Sequence, residues 1–237
     1  MVMLLQKLIR QYKSFSTDRA LRYLPIVRII KSEATPEDSI LEVGSGSLGI
    51  TPYLGRKITG LDTRFNGLQT DIVRKVYGSA EKIPFPDNAF DYVICVDMLE
   101  HIKPTVRSNV ISELLRVGKK KVFLASPCGK KSEEEDLYIS KFFLSVMGFK
   151  NPYLEEHINY KLPRKEEILK MCGHKNVIVI KNVNLLLHRY IMKTQFSKGI
   201  FLKIVSRILN LMFIPLLSRI NYGDCYRYVF VIDKSKQ

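Results

Sequence analysis

The sequence predicts an α/β protein built on a doubly wound, seven-stranded and mostly parallel sheet. Three observations predict it. Short β-rich runs alternate with helical patterns through the first two thirds of the chain. A glycine-rich string, Glu42-Val43-Gly44-Ser45-Gly46-Ser47-Leu48-Gly49, follows the first of those runs. Asp62 closes the second run, 18 residues after Gly44.

Two amphipathic helices are expected first, over 1–15 and 17–31, making an N-terminal helical extension of residues 1–36. Ser16 or Thr17 would cap the second, with Asp18 near its positive end. Thr35-Pro36-Glu37-Asp38 reads as a turn. The main domain, 37–237, then opens. Its expected strands are 39–43, 57–61, 72–76, 90–96, 121–125, 177–180 and 226–232, and its clearest helix is 105–117. Some 40 residues of apolar and basic helix, about 184–220, separate the last two strands. That is too long for an ordinary connection.

Composition narrows the function. The 237 residues suit one α/β domain, with 46% hydrophobic residues and no long low-complexity run. The four cysteines form no C-x-x-C pair and no metal-finger spacing, and read as buried thiols of a reducing, cytoplasmic compartment. The first ten residues lack a clear signal-peptide core. The longest uncharged apolar run, Ile208 to Ser218, is 11 residues, too short to span a bilayer. A net charge of +15 favours anionic partners: nucleic acid, a phosphate-bearing substrate or an acidic membrane surface.

Glycines at a strand's carboxyl end let the backbone pass close to a ligand. The string also fits the dinucleotide pattern G-x-G-x-x-G, which alone is weakly specific. Glu42, two residues before Gly44, suits a cationic amino or sulfonium ligand and would repel a pyrophosphate. Asp62 is placed to accept both hydroxyls of a ribose.

With Gly78-Ser79-Ala80-Glu81-Lys82-Ile83-Pro84-Phe85-Pro86-Asp87-Asn88-Ala89-Phe90-Asp91 and Ile94-Cys95-Val96-Asp97-Met98-Leu99-Glu100-His101-Ile102, these motifs closely resemble the type 11 branch of class I S-adenosylmethionine (SAM) dependent methyltransferases. The resemblance covers about 38–126 and continues loosely through Glu156-His157-Ile158-Asn159 to Gly173. It implies a Rossmann-like fold and SAM as cofactor. It implies that Glu42 contacts the methionine amino group, directly or through water, that Gly44 and Gly46 admit the cofactor, that Asp62 holds the ribose, that Ser79 and Ala80 face the adenine, and that Val96 is also among the cofactor-binding residues. The family often has Asp where this chain has Ser79.

Asp97, Glu100 and His101 form D-x-x-E-H just past the fourth strand, and His157 follows 56 residues after His101. On a helical turn Asp97 would share a face with Glu100 and His101. The set could bind a divalent cation; the arrangement is similar to E-x-x-E-H plus a distant His in small-RNA 2′-O-methyltransferases and ubiquinone-pathway O-methyltransferases. Without metal, His101 or His157 would be the general base for a hydroxyl acceptor. The first expectation is methyl transfer to a small-molecule, glycan or lipid-linked acceptor. An RNA methyltransferase ranks lower, for want of an appended RNA-binding module. A non-catalytic SAM- or NAD-binding module is the third reading. In the insertion, Ile200, Phe201, Ile204, Val205, Ile208, Leu209, Leu211, Met212 and Phe213 form an apolar face beside Lys198, Lys203, Arg207 and Arg219. It reads as a lid over the site, a contact with an anionic membrane, or a dimer contact.

Overall fold

The computed structural model describes residues 16–67, 70–173, 176–199, 204–205, 208–209 and 212–235. The helix expected over 1–15, and Ile200, Phe201, Lys203, Arg207 and Leu211 of the insertion, lie outside them.

The chain runs α1 (Thr17–Glu33), β1 (Ile40–Val43), α2 (Thr51–Leu54), β2 (Ile58–Asp62), β3 (Val73–Tyr77), β4 (Phe90–Val96), a 3₁₀ turn (Leu99–His101), α3 (Pro104–Val117) and β5 (Gly118–Pro127). It continues through α4 (Lys130–Met147), α5 (Pro152–Tyr160), α6 (Lys165–Met171), β6 (Val177–Asn184), α7 (Leu185–Phe196), α8 (Ile214–Leu217) and β7 (Cys225–Asp233). The seven strands form one sheet in the order β3-β2-β1-β4-β5-β7-β6. β7 runs antiparallel to both neighbours, while β1 to β5 pair in parallel.

Burial on both faces explains the strand sequences. β1 is buried throughout, and β4 nearly so, which is why they read as continuous apolar runs rather than alternating ones. Leu41, Val43, Val93 and Cys95 face a core under α3 and α6, with Val110, Ile111, Leu114 and Ile168. Ile40, Tyr92, Ile94 and Val96 face the opposite core, under α1 and α2, with Tyr23, Ile26, Ile30 and Leu54. Ser16 caps α1 by accepting from the Arg19 backbone N–H at 3.2 Å.

The helix that follows the glycine string is one turn long. Residues 46–50 form successive turns, and α2 starts at Thr51 with Pro52 in its first turn. Gly55, left-handed at φ 75°, ends it. β2 begins three residues later.

The insertion returns to the domain at both ends. α7 packs on α4, and α8 packs on α1. Leu217 and Ile220 rest on a small core of Leu21, Val183, Leu187 and Ile191.

Candidate active site

From β1 the chain winds outward to β2 on one side, and later to β4 on the other. The reversal opens a crevice at the carboxyl ends of β1 and β4, where doubly wound sheets take ligands. The glycine string forms its rim.

Gly44, Gly46 and Gly49 have φ of 75°, 55° and 50°. A side chain at Gly46 would meet nothing within 4 Å, so the rim is open there. Gly49 is closed: a Cβ would collide with the Glu42 carboxylate beneath it. Glu42 corrects one expectation. It is 1% exposed, and its oxygens are taken by the Tyr23 hydroxyl and the Ile50 backbone N–H, both donating at 2.7 Å. The carboxylate therefore holds the loop from below and is not free for a direct contact to a cofactor's amino group. Burial pushes its pKa up to about 7.

Asp62 ends β2 facing the loop. One oxygen accepts from the Gly46 N–H at 2.7 Å, the other from the Arg64 N–H at 3.0 Å. Ser79 is exposed, and its hydroxyl accepts from the Glu81 N–H at 3.2 Å, which makes it a turn residue. Ala80 packs against the core under α3. Val96 is buried in the opposite core, so it offers the crevice only its backbone. Met98, not singled out in the sequence, leans on Gly44: its sulfur would lie 3.0 Å from a Cβ there.

The D-x-x-E-H string does not form a helical face. Asp97 takes left-handed backbone, φ 49°, and the 3₁₀ turn starts two residues later. Asp97 consequently points away from His101. Both its oxygens are held by Arg227 of β7, at 2.5 and 2.6 Å, and Arg22 of α1 adds a contact at 2.9 Å. Burial would raise its pKa, but the two guanidiniums outweigh it and hold the carboxyl below its ordinary range. Asp97 is committed to these arginines, and the metal-compatible cluster among the described residues does not include it.

Glu100, His101 and His157 do come together. Glu100 is buried and accepts from the Ser126 hydroxyl at 3.1 Å; burial and then the Asp97 charge push its pKa up to about 7. The two imidazoles face each other with Nε2 atoms 3.4 Å apart. Behind them, His101 Nδ1 lies 2.7 Å from Glu156 and His157 Nδ1 lies 2.8 Å from Asp136. Asp136 also accepts from the Tyr226 hydroxyl at 2.6 Å. Burial and the neighbouring His157 charge lower the pKa of His101. Burial also opposes charge on His157, yet Asp136 outweighs it and the pKa is raised.

One ligand atom from each of Glu100, His101 and His157 lies within 4.8 Å of the others. Two nitrogens on a tetrahedral ion at about 2.1 Å stand about 3.4 Å apart, and ligating histidines commonly have the other ring nitrogen held by a carboxylate. The trio thus fits a divalent cation without Asp97. A cavity of about 170 Å³ between α4 and α5 is walled by Asp136, His157, Leu137, Lys130 and Lys161.

Sequence reasoning missed Asp136, Tyr226, Arg227 and Arg22. None lies in a local motif with its partner. Glu156 carried the only signal, its position beside His157.

The methyltransferase domain family matches residues 41–125. The glycine/sarcosine/dimethylglycine N-methyltransferase of Actinopolyspora halophila is 32% identical over 148 residues, covering 53% of this chain and 26% of that protein. The chain spans less than half the length of the curated relatives it matches. A SAM-dependent methyltransferase from Thermotoga maritima shares the fold at TM-score 0.54 and 16% identity, covering 99% of this chain and all of its own. So does the geranyl diphosphate C-methyltransferase of Streptomyces coelicolor, solved with Mg²⁺, geranyl diphosphate and S-adenosylhomocysteine. It has a TM-score of 0.51 and 11% identity, over 89% of this chain and 77% of its own. Nitrogen and carbon acceptors both occur on this fold, so the fold alone names no acceptor.

Proposed function

We propose that this chain, which matches the methyltransferase domain family over residues 41–125, moves the methyl group of SAM to a hydroxyl of a small-molecule, glycan or lipid-linked acceptor. The observation that carries the reading is the facing pair His101 and His157 beside the carboxyl ends of β4 and β5. A hydroxyl is a weak nucleophile and needs a base, and a neutral imidazole near operating pH is the residue for it.

Roles follow from the partners. Glu156 takes the Nδ1–H of His101, which leaves Nε2 as the basic nitrogen. With its pKa lowered, His101 is the neutral member of the pair. Asp136 keeps His157 in place and favours its protonated form. The acceptor oxygen attacks the methyl carbon in line. A C–O bond forms as the S–CH₃ bond breaks, S-adenosylhomocysteine leaves, and the hydroxyl proton passes to His101 Nε2. Glycines 44 and 46 give the cofactor room. Asp62 accepts from the ribose hydroxyls. Were a divalent cation held by Glu100, His101 and His157 instead, His101 would be a ligand and not the base, and the ion would supply Lewis-acid polarisation of the acceptor oxygen.

The test has two arms. His101→Asn should lower the rate of S-adenosylhomocysteine release from SAM and a panel of hydroxyl acceptors by about 10²–10⁴-fold, with cofactor binding unchanged. Asp62→Ala should instead weaken S-adenosylhomocysteine binding in calorimetry by about 1.5–3 kcal/mol. Turnover of amine acceptors only, at rates indifferent to His101→Asn, would defeat the hydroxyl reading.

A further inference from the structure

We propose that the exposed residues Lys198, Ile204, Ile208, Met212, Leu216 and Arg219, between β6 and β7, form a docking surface for an anionic lipid bilayer. This rests on the segment itself and not on the chemistry of the crevice. From Leu185 to Gly223 the sequence holds six basic residues (Arg189, Lys193, Lys198, Lys203, Arg207 and Arg219) and no Asp or Glu. A stretch of 39 residues with charge of one sign only is unlike the rest of the chain, which mixes 32 basic with 23 acidic residues.

Between the packed ends of this segment, large apolar side chains face water. Ile204 is 47% exposed, Ile208 46%, Met212 68% and Leu216 59%. They recur every four residues in the sequence, and among the described residues 204–205, 208–209 and 212 are helical. Phe213 adds a half-exposed ring.

A loose, detached segment does not account for the exposure. The α7 end is fixed to α4: Arg189 holds Glu135 at 2.5 Å and stacks 4.2 Å over Tyr138, and the Phe196 ring meets Phe143 edge-on at 4.8 Å. The α8 end is fixed to α1, where Arg28 donates to the Ser218 hydroxyl. The segment is tied down at both ends and still turns its apolar side outward. Lys198 and Arg219 are exposed beside it, with no acidic partner among the described residues.

An apolar stripe flanked only by cations is the composition of an interfacial helix, which sinks its apolar side into the acyl boundary and sets its cations among anionic headgroups. A second copy of this chain would bring like charge against like charge. A nucleic acid would match the cations and leave Ile208, Met212 and Leu216 in water. The bilayer satisfies both features.

The experiment is co-sedimentation of the full chain with vesicles of phosphatidylcholine alone and of phosphatidylcholine mixed with phosphatidylglycerol. The chain should pellet with the mixed vesicles, not with the neutral ones, and release as salt is raised. Lys198→Glu with Arg219→Glu should cut the partition coefficient by roughly 30-fold or more. Ile208→Ser with Met212→Ser should cut it by about tenfold or more. All four positions are exposed, so both double variants should melt at the parent temperature, which separates lost docking from lost folding. Equal binding to neutral vesicles, no binding by the parent, or binding indifferent to both pairs overturns the proposal. So does a parent with no vesicle affinity that dimerises, or that binds an RNA oligonucleotide, through these same residues.

Discussion

His101 and His157 point their Nε2 atoms at each other across 3.4 Å, each ring held from behind by a carboxylate on a different helix. At this distance two imidazoles titrate as a pair. The Asp136 side chain decides which member carries the charge, because it raises His157 while the His157 charge helps to lower His101. Asp136→Asn keeps the shape and removes the charge. His157 should then titrate at lower pH and His101 at higher pH, read by imidazole proton NMR. If His101 is the base, the acid limb of kcat/KM should move to higher pH in the same variant. A merely structural Asp136 would lower activity without moving that limb.

Glu42 gives stability a pH dependence whose sign is fixed by its burial. Its folded-state pKa, about 7, lies above the ordinary 4.5, so the folded state binds this proton more tightly than the unfolded chain. Its stabilising contribution is complete below about pH 4.5 and is lost as pH rises through 7, to a total of about 3 kcal/mol. Glu42→Gln cannot ionise. It can still accept from the Ile50 N–H and donate to the Tyr23 oxygen. Urea denaturation should therefore show the variant gaining on the parent between pH 5 and pH 8. A constant difference across that range would exclude the linkage.

Arg227 is 1% exposed and neutralises a carboxylate that is itself almost buried. Arg227→Met should cost about 3 kcal/mol, since Asp97 would be left with Arg22 alone. Adding Asp97→Asn should return part of that loss, with a coupling energy above about 1 kcal/mol in a double-mutant cycle read by denaturation. Additive losses would mean that the pair is not energetically coupled.

The strands, the glycine rim and Asp62 were legible because their signals are local. Period, turn residues and a carboxylate at a strand end are all visible within a few residues of one another. The groups that organise the site were not. Tyr23 reaches Glu42 across 19 residues, Asp136 reaches His157 across 21, and Arg227 reaches Asp97 across 130. Each pairing exists only because the topology lays one element over another. The misassignment of Asp97 has a narrower cause. Spacings of three and four place residues on one side only of a regular helix, and left-handed backbone at Asp97 breaks that regularity at its first residue. One-sided charge in the insertion was visible in the sequence, but which side chains stay in water depends on how α7 and α8 settle.

β7 enters the sheet last in chain order but not at its edge: it sits between β5 and β6. It also supplies Tyr226 and Arg227, which steady Asp136 and Asp97. The sheet therefore cannot close until β7 has been made, however early its other strands are available. Until then β5 and β6 present open strand edges to other chains or to each other. A polypeptide without residues 225–233 would lack the strand that fills this gap. Such a chain should reach the cell as a substrate for chaperones and proteases rather than as a weaker enzyme.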